Sequence, residues 1–286
     1  MVATNRIRVL VRSRGTGTDI FRTLVTLACQ DIGPKRLEVV LAATSPDLHT
    51  GPEAKLLHSA LGFSAVDVLD TRGLTPAQAL NVAAEDGHAG HLALVPEGAR
   101  LHPQLLSRCL STMRGQMSPQ VVFCEHTAGT EDMRPFLRRP SFRPEQLLRR
   151  NAVGPVALIQ RTAWDILNGL HPNLEYSLWD FWLRLALAGG RLSQLPGLLA
   201  STPRLNRLTP EQDGRAKAML VVHTPGAFEP DVCRWAMALL RGDAWAGPFE
   251  PGVIPSSRDV SALFAGMGMP LRPGSFSWES RQRWSA

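Results

Sequence analysis

The run Leu37–Ala43 (LEVVLAA) restricts the fold more than any other part of this chain. Its side chains are apolar at nearly every position, so neither face of the strand that it forms can be left in water. A strand covered on both faces is typical of a parallel sheet with helices on either side. The run therefore predicts an α/β fold built around a buried sheet.

Strands and helices are predicted to alternate through residues 6–195. Apolar runs at 6–12, 37–43, 65–69, 91–95, 120–124, 155–160 and 192–195 indicate strands, and helical spacing at 19–30, 52–61, 76–84, 103–113, 162–168 and 178–188 indicates helices. This βαβ rhythm predicts a mostly parallel sheet sandwiched by helices. Ligands of such sheets bind beyond the carboxyl ends of the strands, so the loops at 13–18, 43–47 and 96–100 are expected to hold the site.

The pattern changes after about residue 207. Residues 209–222 and 229–241 have the spacing of helices, whereas 243–286 is rich in Pro, Gly, Ser and Trp and has little periodicity. We therefore expect a main domain at 1–207, followed at 208–286 by a helical extension and an irregular tail. That tail is expected either to pack on the domain or to be partly disordered.

Composition narrows the class of protein. Hydrophobic residues make up 44% of the 286 residues, which is enough for a substantial core. No stretch approaches the roughly 20 apolar residues that span a bilayer. Arginines interrupt the apolar run near the N-terminus, so we expect no signal peptide and a cytoplasmic protein. The four cysteines include no Cys-x-x-Cys pair, and we expect reduced core thiols rather than a zinc site.

The net charge of +6 comes almost entirely from arginine. A nucleic-acid binder is one explanation, but the chain has no helix-turn-helix and no RNA-binding sheet signature, so we expect no nucleic-acid partner. Arginines concentrate between Arg134 and Arg150, and tryptophans recur in the C-terminal tail. These two segments are the candidate docking surfaces for a protein partner.

Four ordered stretches carry a resemblance to a known family. They are RIRVLVRSRGTGTDIFRTLVTLACQD with LEVVLAATSPD, then TPAQALNVAAEDGHAGHLALV, then ARLHPQLL, and finally NAVGPVALIQRTAWDILNGL with SLWDFWLRLALAGGRLSQLP. Together they cover roughly residues 6–205 and resemble the inverting GT-A glycosyltransferases of the family-2 type. The resemblance implies a GT-A fold, a nucleotide-sugar donor, a polysaccharide or glycolipid acceptor, and a divalent cation (Mg²⁺ or Mn²⁺) at the donor diphosphate.

The chain departs from the family pattern where that pattern requires acids. The turn at 42–45 lacks the base-binding Asp, and the segment at 96–99 lacks the Asp-x-Asp pair that holds the cation. The helix start at 177–178 lacks the Glu-Asp pair that supplies the general base. The pattern thus describes a degenerate member, in which any catalysis depends on neighbouring acids.

The resemblance assigns roles to particular residues. Glu97 is the candidate cation ligand, and Asp180 and Glu175 are the candidate general bases. The candidate contacts to the nucleotide-sugar are Arg14, Thr44, Asp47, Asn81 and Arg204. Other readings remain open: Glu97 as a solvated carboxylate, Asp180 as a helix-capping acid and Asn81 as a polar helix residue. Trp179 and Trp182 are either core residues or a sugar-stacking platform.

Two functions follow from this pattern. The first is a glycosyltransferase in which Asp180 or Glu175 activates an acceptor hydroxyl for attack at the anomeric carbon. The second is a catalytically inactive protein of the same fold that binds a glycan, a nucleotide or a protein partner, because a fold by itself does not specify an activity.

Overall fold

The computed structural model describes residues 6–13, 17–44, 61–85, 87–128, 142–203 and 208–266. The chain divides into two compact units. The first unit comprises 1–142, 153–173 and 190–205, and the second comprises 143–152, 174–189 and 206–286. The second unit thus takes in two segments that the division at residue 207 assigns to the first.

The first unit contains the strands. Its elements are β1 (Ile7–Ser13), α1 (Gly17–Ala28), a 3-10 turn (Pro34–Arg36), β2 (Leu37–Ala43), β3 (Ala65–Asp70), α2 (Pro76–Glu85), β4 (His91–Leu94), β5 (Arg100–Leu101), α3 (Leu105–Arg114), β6 (Val121–Ala128), β7 (Ala157–Gln160), α4 (Arg161–Ile166) and β8 (Leu192–Thr202). The predicted helix at 52–61 lies almost wholly outside the described residues.

The eight strands form one sheet in the order β3-β2-β1-β4-β7-β6-β8-β5. The pairs β2–β3, β1–β2, β1–β4 and β6–β8 are parallel, and β4–β7, β6–β7 and β5–β8 are antiparallel. The predicted α/β class is confirmed, with β7 and β5 as the antiparallel members. Chain order reverses between β1 and β4, because β2 and β3 continue outward on the other side of β1. Such a reversal opens a crevice at the carboxyl ends of the two strands.

Burial explains why β1 and β2 lie between β3 and β4 in the sheet. Val9 and Val39 are fully buried and pair in register across the two strands. Leu24 and Leu27 from α1 are also fully buried and belong to the same hydrophobic core. The two strands are covered on both faces, as the apolar run Leu37–Ala43 predicts.

The second unit is helical in its described part. It contains a 3-10 turn (Pro144–Leu148), α5 (Ser177–Leu187), α6 (Pro210–His223), a second 3-10 turn (Pro225–Ala227), α7 (Pro230–Arg241) and α8 (Ser257–Gly266). Thr209 accepts a hydrogen bond from the Gln212 amide and Pro210 follows it, which is a well-formed helix start. The helices at 210–223 and 230–241 confirm the predicted extension, whereas α8 lies in the part expected to be irregular.

The tryptophans of α5 belong to the core of this unit. Trp179 and Trp182 are 1% and 0% exposed, and the Trp179 indole donates to the Leu147 carbonyl at 2.7 Å. The interpretation of the pair as a sugar-stacking platform is therefore wrong, since neither ring face is accessible. No helix in the described ranges is both long enough and apolar enough to span a bilayer.

Candidate functional site at the carboxyl ends of the strands

Threonine side chains join the ends of the first three strands. The Thr44 amide and hydroxyl donate to the Ser13 carbonyl at 3.2 and 3.3 Å, linking the end of β2 to the end of β1. The Thr71 amide and hydroxyl donate to the Ala43 carbonyl at 2.9 and 3.0 Å, linking β3 to β2. These bonds satisfy carbonyls at an edge where the sheet pairing stops. The predicted contact residue Thr44 thus lies at the carboxyl edge, with its hydroxyl directed to Ser13.

A tight turn follows β4 and carries Glu97. The Ala99 amide donates to the Pro96 carbonyl at 3.1 Å, and Gly98 has a φ of 78°. A four-residue turn with a positive φ at its third position is a type II turn, which favours glycine there. Glu97 occupies the second position of the turn, at the carboxyl end of β4 and beside the crevice between β1 and β4. The structure therefore places the predicted cation ligand at the expected edge.

This turn packs against the start of α1. A Cβ atom at Gly98 would lie 3.2 Å from Pro203 Cγ and 3.6 Å from Asp19 Cβ. Asp19 stands in the first turn of α1, where a carboxylate is stabilised by the helix dipole. Its Oδ1 accepts a hydrogen bond from Arg22 Nη1 at 3.2 Å. A second carboxylate thus lies beside the turn that carries Glu97.

The donor set at this edge fits one kind of cation site. Within the described part of the chain, no three His, Cys, Asp or Glu side chains are placed to hold a metal ion together. A cage made only of protein ligands is therefore not built from these residues. Mg²⁺ often binds through one or two carboxylates together with substrate phosphates. Glu97 suits that arrangement, and Asp19 is engaged by Arg22.

Asn81 uses both ends of its amide within the first unit. Its Nδ2 donates to the Leu170 carbonyl at 2.8 Å, and its Oδ1 accepts from the Leu170 amide at 2.8 Å. Gly169 has a φ of 66°, and a Cβ there would lie 2.6 Å from Asn81 Oδ1. Asn81 therefore holds the loop after α4 against α2. A nucleotide would have to displace Leu170 to bind this amide.

The two predicted bases lie in the second unit and differ in exposure. Asp180 is 2% exposed, and its Oδ2 accepts a hydrogen bond from Arg184 Nε at 2.7 Å, one helical turn away on α5. The Arg184 guanidinium also lies 5.7 Å from the centre of the Phe181 ring. Glu175, by contrast, is exposed just before the helix. A buried and paired carboxylate is a poor proton acceptor for a bulky acceptor substrate, so Glu175 is the more accessible of the two.

His126 lies at the same edge of the sheet and was missed in the sequence. It stands near the end of β6, a strand that runs parallel to β4. Gly154 has a φ of 79°, and a Cβ there would lie 2.5 Å from the His126 ring, so only glycine allows the two to approach. Partial desolvation lowers the pKa of His126, and the Glu125 carboxylate opposes this effect. Desolvation therefore favours the neutral form of this imidazole. The signal in the sequence was a Glu-His pair directly after a predicted strand.

Several predicted residues lie outside the described residues. These are Arg14, Asp47 and Arg204, together with the part of the basic segment that precedes Phe142 and the tail after Gly266. Within the described remainder of the basic segment, Arg149 Nη1 donates to Asp259 Oδ2 at 2.7 Å. That arginine therefore has a partner inside the second unit.

No protein-family model matches the sequence, and no curated protein sequence matches it. Solved structures do match. Residues 1–349 of S. aureus TarS in complex with UDP superpose with a TM-score of 0.59 at 16% identity, over 82% of this chain and 70% of that one. The same fragment in complex with UDP-GlcNAc gives a TM-score of 0.60.

The mannosyltransferase PcManGT from Pyrobaculum calidifontis is a second match. Its structure in complex with GDP-Man and Mn²⁺ superposes with a TM-score of 0.59 at 15% identity, over 96% of this chain and 77% of that one. Likeness at such low identity establishes the fold. The chain has a GT-A-like glycosyltransferase fold, as its four ordered stretches predict.

Proposed function

We propose that this chain binds a nucleoside-diphosphate sugar at the carboxyl ends of β1, β2 and β4 and transfers the sugar to a hydroxyl of a polysaccharide or glycolipid precursor. One observation carries the proposal: the Glu97 turn packs beside the first turn of α1 at the point where strand order reverses. The reversal supplies the crevice, and the helix start supplies backbone N–H groups suited to phosphate. The structural neighbours TarS and PcManGT were solved with UDP, UDP-GlcNAc and GDP-Man.

The proposed reaction is an inverting displacement. An acceptor oxygen forms a bond to the anomeric carbon, the bond from that carbon to the diphosphate oxygen breaks, and the acceptor proton passes to a carboxylate. Glu175 is proposed as that carboxylate because it is exposed, whereas Asp180 is committed to Arg184. Arg14, Thr44, Asp47 and Arg204 stay proposed nucleotide contacts.

A divalent cation fits this site as a partner of the substrate. Glu97 would hold it together with the donor's phosphates, where its charge would favour departure of the diphosphate. The structural neighbour PcManGT was solved with Mn²⁺ beside GDP-Man, which supports the assignment. Within the first unit, the backbone amides of the first turn of α1 would share in neutralising the diphosphate.

Calorimetric titration tests the proposal. UDP, GDP, UDP-GlcNAc and GDP-mannose are titrated with and without Mn²⁺ into the full chain and into Glu97→Gln. We expect binding that Mn²⁺ strengthens in the wild type and at least tenfold weaker binding in Glu97→Gln. Glu85→Gln is the matched control, because Glu85 is an exposed carboxylate at the far end of α2. No nucleotide binding at millimolar ligand rules the proposal out.

A non-catalytic binding protein of the same fold is the second candidate. It is favoured by the single carboxylate on the turn at 96–99 and by the ion pair that occupies Asp180. The two candidates differ in release of UDP or GDP from the sugar donor when a glycan acceptor is added. Binding without release, in a preparation that binds nucleotide, identifies the second candidate.

A further inference from the structure

A groove of about 300 Å³ lies in the first unit, away from the carboxyl edge. One wall is the outer stripe of α3, and the other is the turn that joins α1 to β2. It is lined by Ile32, Arg36, Ser107, Leu110, Ser111 and Arg114. Arg36 directly precedes β2, so the groove opens at the amino edge of the sheet, opposite the proposed nucleotide site. A volume near 300 Å³ is at the lower end of the range for small-ligand pockets.

The two walls of the groove are fixed to each other by Gln30. This side chain is 3% exposed. Its Nε2 donates to the His102 carbonyl at 2.9 Å, and its Oε1 accepts from the Leu106 amide at 3.1 Å. The Asp31 amide donates to the Pro103 carbonyl at 2.9 Å. A buried amide with both ends bonded across two segments holds them at a set separation. The groove is therefore preformed.

The placement of the arginines follows from local structure. Gly33 has a φ of 82° and turns the chain into the 3-10 turn Pro34–Arg36, which brings Arg36 to the rim. On α3, Ser107, Ser111 and Arg114 are spaced by four and three residues and share one helical stripe. Two guanidinium groups from separate walls thus line one groove.

The chemistry of the lining favours a phosphate. Arginine forms paired, charge-assisted hydrogen bonds with phosphate oxygens, and the Ser111 hydroxyl can add a single donor. Asp31 is the facing carboxylate, and its Oδ2 already accepts the Ser107 hydroxyl proton at 2.7 Å. Buried Leu110 and half-buried Ile32 give the floor an apolar character. Charge and shape fit a phosphate group attached to a less polar body.

We propose that this groove is a second binding site, distinct from the nucleotide site, for a phosphate group. The phosphate belongs either to a free phosphorylated compound or to a lipid head group. The lipid source has a specific feature in its favour: Met117, two residues past Gly115 at the end of the groove, is 69% exposed. An exposed methionine beside two arginines suits the interface of an anionic membrane.

Backbone NMR of the deuterated full chain tests the site directly. Inorganic phosphate is titrated at low ionic strength while the amide signals of Arg36, Ser111 and Gly115 are followed. We expect saturable shifts at these amides, and affinity at least tenfold lower in Arg36→Gln/Arg114→Gln. Arg241→Gln is the matched control. The Arg241 side chain is exposed in the second unit, and its substitution removes the same type of charge. Shifts confined to the strand ends, or equal losses in the control, overturn the proposal.

A second variant and vesicle binding complete the test. Ser111→Glu puts a carboxylate in the groove at an exposed position and is expected to abolish the phosphate shifts. Co-sedimentation with phosphatidylglycerol vesicles, against phosphatidylcholine, then separates the sources: retention by the anionic vesicles alone, lost in the double arginine variant, identifies a lipid head group. Phosphate shifts without retention identify a free phosphorylated compound. The titration with UDP or GDP does not use these variants. Absence of nucleotide binding therefore tests the proposed function, and absence of phosphate binding tests the groove.

Discussion

Lys217 and Asp213 form an ion pair inside the second unit, with 2.6 Å between Nζ and Oδ2 and almost no exposure of either side chain. The ammonium group also donates to the carbonyls of Phe249 and Glu250 at 3.2 and 2.8 Å. Asp213 Oδ1 accepts from the Gly252 amide at 3.0 Å and from the Tyr176 hydroxyl. This network joins α6 to the 249–252 segment and to the residue that precedes α5. The helical extension is therefore part of the structure that supports α5.

Removing one member of this pair should destabilise the second unit strongly. Lys217→Met leaves the Asp213 carboxylate buried without its cation, which typically costs about 3 to 5 kcal/mol. We expect urea unfolding followed by tryptophan fluorescence to show that loss, since Trp179, Trp182 and Trp235 are buried in this unit. Arg241→Ala, which breaks the exposed pair with Asp243, should change stability by less than about 1 kcal/mol. Equal effects of the two variants would contradict the assignment.

The two glycine turns at the carboxyl edge allow strain to be separated from packing. Gly73 and Gly98 both occupy the third position of a turn and have φ values of 79° and 78°. A Cβ at Gly73 would meet nothing within 4 Å, whereas one at Gly98 would press on Pro203. Gly73→Ala should cost the left-handed strain alone, about 1 to 2 kcal/mol. Gly98→Ala should cost more in thermal unfolding and should also weaken nucleotide binding by moving Glu97.

The sequence predicts the central strands well because their burial is local information. The run Leu37–Ala43 coincides with β2, because a short apolar segment of this kind is stable only when both of its faces are buried. The turn that carries Glu97 is also found at its predicted place. In these cases the pattern that specifies the element lies within the element itself.

Other features depend on partners that are distant in sequence. Asn81 is bonded to Leu170, 89 positions away, so its role cannot be read from its own helix. The burial of Asp180 depends on how α5 packs, although Trp179 and Phe181 on either side are a hint. For α8, a usable signal was present: Ser256 and Asp259 form a reciprocal cap, with the Ser256 amide donating to Asp259 at 2.8 Å. A Ser-x-x-Asp step before an apolar run predicts a helix start.

Substitution of Asn81 distinguishes its structural role from nucleotide contact. Asn81→Ala removes two hydrogen bonds to Leu170 and should lower the free energy of unfolding by about 2 kcal/mol. Below the unfolding transition, the affinity for UDP or GDP should stay within about twofold of the wild type, because the amide faces the loop. Calorimetry at 10 °C measures that affinity. A tenfold loss of affinity with unchanged stability would instead support the contact predicted from the resemblance.

Two histidines should make the first unit less stable in mild acid. Burial, with a smaller effect of Arg114, lowers the pKa of His91, and desolvation lowers the pKa of His126 against the opposing charge of Glu125. The unfolded chain titrates near 6.5, so below that pH it binds protons that the folded chain does not. Stability should therefore fall as pH decreases from 7 to 5, by at most about 1.4 kcal/mol per pH unit for each proton.

The double variant His91→Gln/His126→Gln should flatten this dependence, as measured by urea unfolding at half-unit pH steps. His223→Gln, at an exposed position in the second unit, controls for the loss of a histidine as such. Asp259 does not titrate between pH 7 and 5. Burial acts to raise its pKa, but hydrogen bonds from Ser256 and Arg149 give a net lowering. The stabilisation from that carboxylate is present above its unfolded value of 3.8 and is lost only at lower pH. An unchanged slope between pH 7 and 5 in the double variant would show that neither imidazole is desolvated by the fold.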